Sequence, residues 1–429
     1  MNLRRVVASL SLVFVGSTSS AAEWNRFRGP EGLGTSDERG LPVEWSSTKN
    51  VVWKTKLPGP GTSSPIVVGD RVYLTPYSGY ALEVEEPGDV EKLARHVVCL
   101  DRATGKILWR REFAAKQPEP EYSGGNNTWH GYASSTPTAD DKHLYVFFGI
   151  SGVYCLDLAD GREVWRADVG TGTHGWGSGN SLVLFENLLI VNATTESNRL
   201  LALDKQSGKE VWSFEVGKGA RNTPNLVRTS TGSTELIVSL PGNPEGKIVG
   251  LNPRTGKELW TCRGIPDGGY VCPSVVAHDG VVYAIGGRKN TALAVRAGGK
   301  GDVSESHVLW KVGKGSNVAS PAYHDGRLYW VHERQGTFIC LDAKTGETVF
   351  EERIEPRPGI VYSSITIADG KIYAVSQHEG AYVFDAGGAF KQLAHNKFDE
   401  DHRANASPVV DRGQLLLRDD GYLYCLDAR

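Results

Sequence analysis

Two glycine-rich stretches hold the side chains best suited to grip a ligand. Gly124–Tyr132 reads Gly-Gly-Asn-Asn-Thr-Trp-His-Gly-Tyr, and Gly172–Gly177 reads Gly-Thr-His-Gly-Trp-Gly. The first offers Asn127, Trp129, His130 and Tyr132; the second offers His174 and Trp176. Aromatic rings supply stacking faces, and imidazoles supply a hydrogen bond or a metal-ligating nitrogen. Arg221, Asn222, Tyr270, Asn317, Tyr362 and Asn405 stand at comparable places further along, with Arg334, His378, Glu379 and Arg418 on neighbouring loops. Stacking rings beside guanidinium groups would suit a planar anionic ligand. The same residues could instead cap a channel, bonding one another and water. No set of metal ligands and no catalytic residue stands out. Gly-x-Ser-x-Gly, His-Glu-x-x-His and phosphate-cradling Gly-Lys-Ser/Thr loops are missing from the sequence.

What must position these loops is a repeat. The phrase VVCLDRATGKILW at Val97–Trp109 returns as VYCLDLADGREVW, LLALDKQSGKEVW, IVGLNPRTGKELW and FICLDAKTGETVF, the last ending at Phe350. Weaker copies span Ala292–Trp310 and Ala381–Leu393, and YLYCLD closes the series at Asp427. Within one unit, Ala319–Phe350, four short apolar-alternating runs are separated by turn residues such as His-Asp-Gly and Lys-Thr-Gly. Four antiparallel strands in about 47 residues is the size of a propeller blade. The Asp is expected to hold the turn through backbone N–H groups. Each Trp is expected to pack on the next blade, its indole N–H finding a partner there.

First-strand signals number eight: Ser63-Ser64-Pro65, Ser135-Thr136-Pro137, Gly179-Asn180-Ser181, Asn222-Thr223-Pro224, Cys272-Pro273-Ser274, Ala319-Ser320-Pro321, Tyr362-Ser363-Ser364 and Ala406-Ser407-Pro408. The last unit lacks a fourth strand, while residues near 51–55 read as a fourth strand without its first three. The expected fold is therefore all-β, an eight-bladed propeller of four-stranded antiparallel blades. Its ring is closed by the N-terminal strand completing the last blade, which removes a sheet edge.

Arg4 and Arg5, an apolar run Val6–Val15 and Ser20-Ala21-Ala22 predict a cleaved export signal over 1–22, leaving one propeller domain over 23–429. The apolar run is too short to span a membrane. A periplasmic or secreted, monomeric protein follows as the expectation. A net charge of −3 and the lack of basic runs argue against nucleic acid as a partner. Of the six cysteines, Cys99, Cys155, Cys340 and Cys425 share one strand position and read as core residues. Cys262 and Cys272 flank a Gly/Pro excursion and could form a disulfide or lie buried as thiols. Tyr80–Arg95 is a long acidic loop, suited to solvent, a partner contact or a lid.

The repeat resembles the pyrroloquinoline quinone-like, or quinoprotein-type, propeller family over nearly the whole mature chain. The opening Trp24-Asn25-Arg26-Phe27-Arg28-Gly29-Pro30 resembles the start of an exported bacterial subgroup. The resemblance implies one of two functions. One is a non-enzymatic scaffold binding a protein, an envelope polymer or a small ligand through its loop-rich face and central funnel. The other is a quinone- and Ca²⁺-dependent alcohol or sugar dehydrogenase. The dehydrogenases carry adjacent cysteines and an oxygen-rich Ca²⁺ site, and this chain has no adjacent cysteines.

Overall fold

The computed structural model describes residues 23–83, 85–122, 130–217, 219–242, 245–265, 271–286, 290–398 and 401–428. The predicted signal segment, together with Asn127, Trp129 and Tyr270, lies outside them. Eight small antiparallel sheets form the ring. Blade one begins at Ile66–Val68 and blade eight at Val409–Asp411. Val51–Lys56 pairs antiparallel with Tyr422–Asp427, so the predicted closure is observed. Two sheets exceed four strands. Tyr77–Ser78 adds to blade one, and Gly301–Asp302 pairs in parallel with the outer strand of blade four.

Closure is pinned from the other side of the seam. Arg102, just beyond the Leu-Asp of blade one, is 2 % exposed and reaches into blade eight. It donates to Asp411 Oδ2 at 2.7 Å, the Asp411 carbonyl at 2.8 Å and Gln414 Oε1 at 2.8 Å. A buried charge is tolerated only when paired and hydrogen-bonded in this way.

The core is a ring of inter-blade layers. Tyr145 and Phe147 of blade two meet Val191 and Leu201 of blade three, and each following seam repeats the arrangement. In the outer strand of every blade the register slips by one residue just before the Trp position. Such a bulge re-aims the next side chain. The bulged residue faces solvent, as with Val164 and Val211, while the Trp turns onto the neighbouring blade. Trp53, Trp165, Trp212 and Trp310 each donate an indole N–H to the carbonyl one residue beyond the Asp or Asn of the next blade, and Trp109 donates one residue further on, to Ala159, all at 2.9–3.2 Å. Each ring lies against that blade's turn glycine. A Cβ on Gly256 would come within 2.5 Å of Trp212.

Trp260 departs from the expected role. It is fully buried, and its indole donates to Glu235 of its own blade at 2.7 Å. The turn it should meet in blade five is lengthened, and Gly301–Asp302 of that excursion pairs along the Trp260 backbone. Blade seven has Ala394 in the Trp position, and Trp45 from the N-terminal segment joins the apolar cluster there.

The inner strands are tied by a closed circuit. The backbone N–H of Ser64 donates to Thr136 Oγ1, Thr136 to Ser181, Ser181 to Thr223 and Thr223 to Ser274. It continues through Ser320, Ser364 and Ser407 and returns to Ser64, all at 2.9–3.1 Å. Each hydroxyl accepts the N–H of the preceding blade, satisfying a buried donor that no ladder reaches.

Candidate functional site

The eight inner strands enclose an axial cavity of about 270 Å³, walled by the hydroxyl circuit and reached by Phe27 from the N-terminal segment. Of the residues singled out from sequence, His130, Trp176, Arg221, Asn317, Arg334, Tyr362 and Asn405 line it. They come from six different blade entries and one further loop, which only the ring brings together.

His130 bonds Ser134 Oγ through Nδ1 at 2.8 Å and stacks on Trp176, ring centres 6.2 Å apart. Burial pushes its imidazole down to about 4, with Arg221 and Arg403 adding repulsion. The ring is neutral at physiological pH. Arg334 is exposed and donates to the Tyr362 hydroxyl at 3.4 Å, and Arg221 donates to the Gly177 carbonyl at 3.4 Å. Asn405 accepts from Gln377 Nε2 at 3.2 Å.

The other predicted residues lie off the cavity. Tyr132 packs with Tyr77 and Tyr80 and donates to the Pro120 carbonyl. His174 is exposed beside a crevice shared with Arg95, Glu119 and Ser178, where its Nδ1 accepts the Trp176 N–H at 3.1 Å. Asn222 is buried and ties the Ser239 and Val271 carbonyls. His378 faces a cleft of about 310 Å³ between blades seven and eight, 3.5 Å from Asp401. Arg418 is buried, bonding Ser63 and the Thr75 carbonyl as a brace between blades eight and one.

Of the two alternatives for Cys262 and Cys272, a disulfide or free thiols, the structure has the second. Cys262 is buried in the outer strand of blade four, paired against Ile248, while Cys272 lies on the axial cavity. The blade's width separates the two environments. Burial raises the Cys272 thiol to about 11, so it is protonated and unreactive. Cys99, Cys155, Cys340 and Cys425 are buried thiols, as their shared position implied.

Two carboxylates had no signal in the sequence. Glu333 lines the cavity, accepting from Ser316 Oγ at 2.8 Å and the Asn317 N–H at 3.0 Å, with His332 3.3 Å away. Glu196, behind the crevice, accepts from Ser178, and burial lifts its carboxyl to about 7. Glu119 pushes it the same way. Neither belongs to a repeated phrase, and only the fold buries them. Among the described residues no group of three or more His, Cys, Asp or Glu side chains could hold a metal ion. Among the described residues that line the cavity, the one carboxylate is already bonded or close to three neighbours, and the one cysteine has no cysteine beside it. This donor set does not fit a calcium-and-quinone centre.

A family model described as "Outer membrane protein assembly factor BamB" matches residues 94–352 and 303–429. The chain belongs to this pyrroloquinoline quinone-like β-propeller family. Tetrathionate hydrolase of Acidithiobacillus ferrooxidans is 23 % identical over 76 % of this chain, and polyvinylalcohol dehydrogenase of a Pseudomonas species is 22 % identical over 88 %. The chain spans only 65 % and 56 % of those two enzymes. The outer membrane protein assembly factor BamB of Burkholderia pseudomallei is 23 % identical over 91 % of this chain and 92 % of its own length.

Proposed function

We propose that the mature chain is an exported propeller that performs no reaction itself and binds a protein or envelope component through its loop-rich face and axial funnel. The observation that carries this reading is a division of labour. The repeated Asp, Gly and Trp residues are consumed by turns and seams. The non-repeating Trp176, Arg221, Arg334 and Tyr362 converge on one cavity that opens to solvent. The match to an assembly factor over 91 % of this chain and 92 % of that factor supports the same reading. Among the described residues no helix is long and apolar enough to cross a membrane.

A photocrosslinker placed at Tyr362 or Asn317 is expected to trap a discrete envelope partner. The adduct should weaken at least about tenfold in Arg334→Ala, as loss of a charged contact implies. Equal trapping from Lys344, on an outer turn, would sink the assignment to the funnel.

The dehydrogenase reading is favoured by one observation, the pairing of stacking rings with two guanidinium groups around a space of about 270 Å³. Titration with pyrroloquinoline quinone and Ca²⁺, followed by dye-linked alcohol oxidation, separates the two. The scaffold reading expects neither uptake nor turnover. Stoichiometric quinone uptake lost in Trp176→Ala would overturn it.

A further inference from the structure

The N-terminal segment crosses the ring on the side away from the funnel. The Asn25 carbonyl accepts the Ala139 N–H of blade two while its side-chain Nδ2 donates to the Ala139 carbonyl, and the Trp24 carbonyl accepts the Val67 N–H of blade one. Gly34 and Ser36 bond Ile367 of blade seven, and Glu38 accepts the Gly413 N–H of blade eight. These contacts fall a few residues past the hydroxyl circuit along each inner strand, so the segment lies beneath it. Phe27 rises from the segment into the axial cavity.

Arg26 and Arg28 flank Phe27 and are 9 % and 3 % exposed. Neither forms an ion pair among the described residues. Arg26 Nη2 donates to Asn225 Oδ1 at 3.0 Å; Arg28 Nη2 donates to the Leu33 carbonyl at 3.1 Å and to the Pro321 carbonyl. Arg26 Nε and Arg28 Nε and Nη1 are buried without any partner. The carboxylate that acts on Arg26, Glu31, sits on the exposed rim of the same turn. Burial drives the two guanidinium groups down to about 10 and about 9, and Arg26 adds its repulsion to Arg28. Both remain charged at neutral pH. Two buried like charges with three idle donors are costly unless an anion sits among them. A water molecule could accept one of these bonds but brings no compensating charge.

The turn Arg26–Gly34 is wound closely round both groups. The Gly29 and Gly34 N–H groups bond the carbonyls of Arg26 and Arg28, and Gly34 would carry a Cβ only 3.0 Å from Arg28 Nη2. So closely wound a turn favours a compact ion over a larger oxyanion.

We propose that Arg26 and Arg28 form a buried site for a small inorganic anion of halide size, which neutralises the closed end of the propeller channel. The site is independent of the funnel.

The test uses the full mature chain at fixed ionic strength, with chloride or bromide exchanged for gluconate. Halide between about 1 and 100 mM is expected to raise the unfolding temperature saturably, by about 2–5 °C. The rise should vanish in Arg28→Met. Crystals of the unaltered chain grown in bromide should show an anomalous peak between the two guanidinium groups, which decides the matter even if the variant fails to fold. An unfolding temperature indifferent to halide, with no peak in bromide crystals, would overturn the site.

Discussion

The outer wall and the axis of this propeller are built by opposite rules. Around the wall, the same bulge, indole bond and turn glycine recur at seam after seam, and five tryptophans make nearly the same contact. Along the axis only the hydroxyl circuit recurs; every other side chain on the cavity differs from blade to blade. Repetition at the wall gives each blade one neighbour and one geometry, so the ring closes at a fixed number. That rigidity leaves axial residues such as Arg334 and Tyr362, which bond each other, free to differ in type.

Five substitutions sharpen or break this contrast. Arg102→Met should cost most, about 3–5 kcal/mol in urea unfolding, because it removes the buried cation that bonds the largely buried Asp411, leaving only Arg412 at 3.7 Å, and empties the closing seam. A loss under about 1 kcal/mol would show that the seam is carried by strand pairing alone. Next comes a matched pair of glycines. Gly256 and Gly326 both have left-handed backbone, with φ of 68° and 73°. A Cβ at Gly326 meets nothing within 4 Å, whereas at Gly256 it meets Trp212 at 2.5 Å. Gly326→Ala is expected to cost about 1–2 kcal/mol from backbone strain alone. Gly256→Ala should cost roughly 1–3 kcal/mol more from overpacking. Equal losses would remove the indole-on-glycine contact from the account of the wall.

Glu196→Gln tests a buried group near the axis. Its folded-state pKa of about 7 lies above the ordinary carboxylate value of 4.5. Its stabilising contribution is therefore whole below about pH 4.5 and is lost as pH rises through about 7. The glutamine variant should gain on the unaltered chain by about 2 kcal/mol between pH 5 and 8. Parallel pH profiles would contradict that burial. Smallest of all, Arg334→Ala should change stability by less than about 0.5 kcal/mol while weakening partner capture. A larger loss would make Arg334 part of the framework.

The wall was largely legible in the sequence because its contacts are local in pattern. A Leu-Asp, a turn glycine and a Trp at fixed spacing specify strand, turn and seam, and the orphan strand near residue 51 pointed to its distant partner. Trp260 escaped this reasoning because its side chain answers to the turn of the next blade, not to its own phrase. The hydroxyl circuit was visible as Ser or Thr before each first strand, but its role as a string of acceptors depends on the spacing of neighbouring blades. The axis was half legible. Glycine-rich entries marked His130 and Trp176, yet Tyr132, His174 and Arg418 look alike in sequence and are turned elsewhere by packing. Glu333, Glu196, Arg26 and Arg28 belong to no recurring pattern, and only their burial makes them notable.

The closing strand has a consequence for the order of assembly. Among the described strands of the ring, Val51–Lys56 is synthesised first and its partner, Tyr422–Asp427, last. Until then one of its edges has no permanent neighbour, although Trp53 already has blade one to pack on. An early-exposed strand is a template for pairing with the wrong chain. Its outward Lys54 and Lys56, and the bulge at Val52, are the features that blunt such an edge. The first strand of the ring is thus built to wait.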